Sequence, residues 1–207
     1  FVQKLLDVQQ YNVETTTADF DTVFCINKQY VLDFIKATQL DTYEYIERSG
    51  VRAFLVRLDK KIKDKGIVEV FRKGISHKDK KVHLFYPQPN SIYNKENAAL
   101  YQANTFTVTQ ELVYSDDDKN KNRLDLTLFI NGFPIITMEL KNAYTYQAVK
   151  NAVWQYKKDR SPKDKIFHLG RCMAHFALDT SEVFMTGALA RTKTKFFPFN
   201  KGLNNGA

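Results

Sequence analysis

The chain has 207 residues, of which 43% are hydrophobic and 26% charged, a balance that places it among ordinary globular proteins and outside the disordered and collagen-like classes. No apolar run approaches the roughly 18 residues that span a bilayer, and Phe1 to Leu6 lacks the apolar core and cleavage site of a secretory signal, so neither a membrane nor a secreted protein is expected. A net charge of +8, from 31 basic and 23 acidic residues, favours a polyanionic partner.

In chain order, Val23, Ile26, Tyr30, Val31, Phe34 and Ile35 recur at helical spacing and predict a helix within 19–38, with Asp19 or Asp21 as its N-cap. A second helix fits 43–63, interrupted near Gly50 and ended by Gly66. Ile67 to Arg72 and Lys81 to Tyr86 read as strands joined through Gly74. Residues 87–104, rich in Pro and Asn, read as loop with one short helix. Strands are predicted at 105–114, 123–130 and 134–141, with the polar run Ser115 to Arg123 as an exposed loop between the first two. A helix over 144–159 and strands near 165–169, 172–178 and 182–186 complete the pattern. The order describes one α/β (α+β) domain, mostly helical over 1–65 with a mixed core over 66–200.

Cys25 and Cys172 have no C-x-x-C spacing and read as buried, reduced thiols. His77, His83, His168 and His175 show no zinc-site spacing and read as surface or packed residues.

The segment from Arg123 to Lys141 carries the chemistry. Asn131-Gly132 between two alternating runs predicts a hairpin. A two-residue loop pairs Ile130 with Phe133 and sets Asp125 against Met138. A three-residue loop pairs Ile130 with Pro134 and sets Leu124, Leu126 and Leu128 against Leu140, Met138 and Ile136, which builds one apolar face. The second register places Asp125 opposite Glu139, with β-carbons about 4.5–5.5 Å apart, and Lys141 two residues on. Two carboxylates that close repel unless one protonates or a cation sits between them. Mg²⁺ takes hard oxygen ligands, often one or two carboxylates, and keeps several waters. With a lysine beside it, such a pair suits metal-assisted phosphodiester hydrolysis. The same three residues on an exposed strand face would also make an ordinary salt-bridge ladder, and E-x-K alone is common.

Asp125 followed by Glu139-Leu140-Lys141 resembles the D…E-x-K signature of the restriction-endonuclease-like, or PD-(D/E)xK, nucleases. More narrowly, LDLTLFINGFPIITMELKNA (124–143) resembles the nuclease segment of the R (HsdR) subunit of type I restriction-modification enzymes. The likeness continues through 152–160, 174–186 and 189–202, with weaker likeness at 102–111 and 52–58. The resemblance implies a restriction-endonuclease-like core, a central mixed β-sheet flanked by helices. It implies that Asp125 and Glu139 hold Mg²⁺, that Lys141 orients the attacking water or stabilises the transition state, and that 5′-phosphate and 3′-hydroxyl ends result. Leu124 stands where the signature often has Pro, which ligates nothing. The family's Q-x-x-x-Y element matches at Tyr156 but has Ala152 in place of Gln, so Gln155 and Tyr156 are supporting candidates. Glu47 is a candidate for the upstream acid that such nucleases place near the metal; its other reading is a solvated surface group.

Lys157, Lys158 and Arg160 follow as candidate phosphate contacts, with Lys163, Lys165, Arg191, Lys193, Lys195 and Lys201 as further basic groups. No G-x-x-x-x-G-K-[ST] motif occurs, so ATP and translocation are implied only for an intact subunit, and 201–207 reads as the start of a linker toward a translocase region. The implied partners are double-stranded DNA and the specificity and methyltransferase subunits, and the implied location is the prokaryotic cytoplasm. The alternatives are another nuclease of the same fold and a non-catalytic DNA-binding or subunit-docking module.

Overall fold

The computed structural model describes residues 12–14, 19–91, 93–115, 122–141 and 148–199. Among these residues seven strands form one mixed sheet in the order β1 (Asn12–Glu14), β6 (Phe106–Val113), β7 (Arg123–Ile130), β8 (Phe133–Leu140), β9 (Ala174–Leu178), β10 (Val183–Thr186) and β11 (Phe197–Pro198). The β1–β6 and β8–β9 pairs are parallel and the others antiparallel. Two short antiparallel pairs lie outside it: β2 (Phe20–Asp21) with β3 (Ile26–Asn27), and β4 (Ile75–His77) with β5 (Lys80–Val82).

Both faces of the central strands are covered, which is why β7 is buried along most of its length instead of alternating. Leu126, Leu128 and Ile130 join a core built with α1 (Lys28–Thr38), α2 (Leu40–Ser49), α3 (Val51–Lys65) and α4 (Ile67–Lys73). Phe129 enters a second core with Val149, Ala152 and Tyr156 of α6 (Val149–Lys158), together with Ile166, Phe167 and Cys172. The remaining helix, α5 (Lys95–Gln102), precedes β6 and buries none of its residues. This is the mixed α/β architecture, a central sheet flanked by helices, that the sequence predicts.

The structure departs from expectation in several elements. The first helix begins at Lys28, not near Asp19. Asp21 Oδ1 instead accepts from the Phe24 amide in a turn, Cys25 takes a left-handed φ of 54°, and Asn27 caps the helix by accepting from the Tyr30 amide. The second is interrupted at Gly50 and ended by Gly66 as expected, the Gly50 φ of 101° separating α2 from α3. Ile67–Lys73 is a helix and not a strand. Its β-branched run mimics a strand, but Ile67, Val70 and Phe71 are buried at helical steps and the Ile67 amide donates to Gly170 O at 2.7 Å. The expected strand near 165–169 is a single 3-10 turn over Lys165–Phe167. Expectations for 116–121, 142–147 and the segment 201–207 lie outside the described residues.

Candidate active site

The β7–β8 hairpin combines both predicted registers. At its tip, Asn131 (φ 49°) and Gly132 (φ 83°) make a two-residue turn with Ile130 opposite Phe133. The register then shifts between Leu128 and Phe129, and Leu128, Thr127 and Leu126 pair with Ile136, Thr137 and Met138. Ile135 is the extra residue on β8; its carbonyl accepts from the Met173 amide at 2.8 Å, so the bulge is held from the neighbouring segment. Continued one step, the shifted register sets Asp125 across from Glu139. There the side chain takes over from the ladder: Asp125 Oδ2 accepts from the Leu140 amide at 2.6 Å.

Glu139 is fully buried. Its Oε1 accepts from Arg160 Nε at 2.7 Å and pairs with Nη2 at 2.6 Å, while Oε2 is buried with no hydrogen-bond partner among the described residues. Burial pushes the Glu139 carboxyl up to about 7 against the pull of Arg160, with the nearby Asp125 charge pushing the same way and Lys141 opposing. The buried ion pair therefore does not by itself offset the cost of a dry carboxylate. Arg160 is also buried; Nη1 donates to the Tyr114 hydroxyl at 3.5 Å and Nη2 to the Arg123 carbonyl.

Behind the carboxylates lies a buried polar chain. Thr137 Oγ1 is 2.8 Å from both the Tyr156 hydroxyl and His175 Nδ1, and all three residues are buried. Burial lowers the His175 pKa to about 4, so this imidazole is neutral. The helix above is anchored at its start by Asp179, which leaves the end of β9: Oδ2 accepts from the Val149 amide, and Oδ1 accepts from the Ser181 and Glu182 amides.

Asp125, Glu139 and Lys141 are thus brought to one end of the hairpin. Lys141 is half-buried, with its amide on Leu178 O at 2.9 Å. Lys157 and Lys158 reach solvent, whereas Arg160 is turned inward to Glu139 and is withdrawn from the set of surface phosphate contacts. Tyr156 lies in the core and bonds Thr137, not a carboxylate. Ala152 is fully buried against the sheet, and Gln155 is half-exposed one position away from that row. Glu47 is exposed on α2, a helix that packs on α1, α3 and β5, and is not brought to the hairpin. Sequence reasoning missed the inward role of Arg160. The available signal was that Ala152, Tyr156 and Arg160 recur at four-residue steps, so a charge just past the end of α6 continues a buried row.

The donor set suits a hard divalent ion. Among the described residues Glu139 Oε2 is a buried carboxylate oxygen with no partner, beside a second carboxylate, an arrangement relieved by a cation. Among the described residues no cluster of three or more His, Cys, Asp and Glu is present, so two carboxylates with water completing the shell is the composition available, as Mg²⁺ accepts.

The mixed central sheet flanked by helices is consistent with a restriction-endonuclease-like α+β fold, and the β7–β8 hairpin brings two carboxylates and a lysine to one of its ends. The sequence matches the description "Type I restriction enzyme R protein N terminus" over residues 5–194, and the chain belongs to that family. A comparison with curated proteins found no match. Among the described residues no helix is long and apolar enough to cross a membrane.

Proposed function

We propose that the chain is the Mg²⁺-dependent endonuclease part of a type I restriction enzyme R subunit and hydrolyses phosphodiester bonds of double-stranded DNA. One observation carries the reading. Glu139 is a fully buried carboxylate with one oxygen committed to Arg160, the other without a partner among the described residues, and Asp125 beside it. A salt-bridge ladder on a solvated strand face would show none of this.

Asp125 and Glu139 would hold the ion. When bound, Mg²⁺ supplies Lewis acidity that neutralises charge on the phosphoryl oxygens. The Lys141 ammonium, at the end of β8 beside the pair, orients the attacking water or the phosphate and offsets developing negative charge. The Leu140 amide fixes one oxygen of Asp125, which limits that carboxylate to a single orientation. Lys157 and Lys158 give sequence-blind contacts to the DNA backbone.

Target recognition belongs on this reading to specificity and methyltransferase partners in the prokaryotic cytoplasm, and ATP-driven translocation to the intact subunit. The test is cleavage of a plasmid carrying a recognition site by the assembled enzyme. Asp125→Ala abolishes cutting if the reading holds, and cutting at the wild-type rate overturns it.

A further inference from the structure

Arg160 stands in a run of basic residues, yet only 4% of it is exposed. We propose that Arg160 is the positioning residue of the carboxylate pair: it presents one oxygen of Glu139, and the strand that carries Asp125, to a single divalent cation. The inference rests on the reading of that pair as a metal site.

The geometry of the ion pair carries the argument. An arginine usually meets a carboxylate as a fork, one nitrogen to each oxygen. Here Nε and Nη2 both converge on Oε1, at 2.7 and 2.6 Å. A fork would engage both oxygens; this arrangement engages one and leaves Oε2 with no hydrogen-bond partner among the described residues. The remaining contacts of the guanidinium go to the Tyr114 hydroxyl, just past β6, and to the Arg123 carbonyl, two residues before Asp125 on β7. Its carbon lies 5.7 Å from the Tyr114 ring centre. One rigid planar group thus ties Glu139 on β8 to the start of the Asp125 strand and sets the spacing of the two carboxylates. A lysine cannot do this, because its point charge does not reach three separate acceptors in fixed directions.

A purely electrostatic role predicts the opposite of a positioning role. If Arg160 only neutralised charge, its removal would make the pair more negative and tighten cation binding. If it positions the pair, its removal loosens binding, by about 10–100-fold as for other groups that orient metal ligands.

The experiment is Mn²⁺ titration of the chain, read by electron paramagnetic resonance and calorimetry, for wild type, Arg160→Lys and Arg160→Gln. Thermal melts accompany it, so that only folded protein is compared. Arg160→Lys keeps the charge and guards against a variant that fails to fold. The proposal expects both variants to bind at least about tenfold more weakly. It also expects cleavage by Arg160→Lys in the assembled enzyme to recover at saturating Mg²⁺, a raised metal requirement with kcat near wild type. Unchanged or tighter Mn²⁺ binding by folded variants overturns the positioning role while the metal reading stands. A wild-type chain that binds no Mn²⁺ overturns both.

Discussion

The Asp125 carboxylate accepts a hydrogen bond from the Leu140 amide at 2.6 Å, across the hairpin and next to Glu139. One side chain therefore serves two ends: it closes the sheet where the backbone ladder stops, and it stands beside the buried carboxylate.

These roles separate by substitution. Asp125→Asn keeps an oxygen for the Leu140 amide and loses the charge. Its melting temperature should stay close to wild type while divalent-ion binding and cleavage are lost. Asp125→Ala removes both, and unfolding by denaturant should show an added loss of about 1–2 kcal/mol.

His175 gives a pH signature. Its folded pKa is about 4, below its ordinary 6.5, because burial disfavours the imidazolium. The folded state then binds fewer protons than the unfolded chain. The stability this confers is complete above pH 6.5 and is lost as the pH falls through 6.5 toward 4, on the order of 3 kcal/mol at the acid end. Denaturation curves for wild type and His175→Gln should converge across that window, with the variant the flatter of the two.

Much of the site was legible in the sequence because a hairpin leaves two clear marks, a turn dipeptide and period-two alternation. The Asn131-Gly132 signal and the pairing of Leu126 and Leu128 with Met138 and Ile136 both appear in the structure. The bulge was not legible, since the extra residue, Ile135, is as apolar as its neighbours. Neither was α4, where the run from Ile67 to Phe71 has strand-like residues and only tertiary packing makes it a helix. Arg160 was misread for a related reason. A lysine-rich run reads as surface, and the partner that draws one member inward lies 21 residues away in sequence.

Gly132 should be intolerant of a side chain. Its φ is +83°, and a β-carbon there would lie 2.3 Å from the Asn27 carbonyl oxygen, which is backbone and cannot yield easily. The Asn27 amide also donates to Gly132 O at 2.7 Å, so a shift would loosen the start of α1. Gly132→Ala should cost at least about 2 kcal/mol in equilibrium unfolding.

Asp179 ties β9 to α6 through Oδ2 and closes the β9–β10 turn through Oδ1, and its three backbone hydrogen bonds hold its carboxyl below the usual range although burial opposes them. Asp179→Ala should cost about 1–2 kcal/mol and speed amide exchange in the first turn of α6. Asp179→Asn should retain most of the stability.

The most direct test is plasmid linearisation by the assembled enzyme with Mg²⁺ and ATP, comparing wild type with Glu139→Ala and recording ATP hydrolysis in the same reactions. Cleavage lost with ATP hydrolysis retained is the expected result and assigns the chemistry to the β7–β8 hairpin. Cleavage that survives the substitution would make Glu139 and Arg160 a structural ion pair and contradict the account.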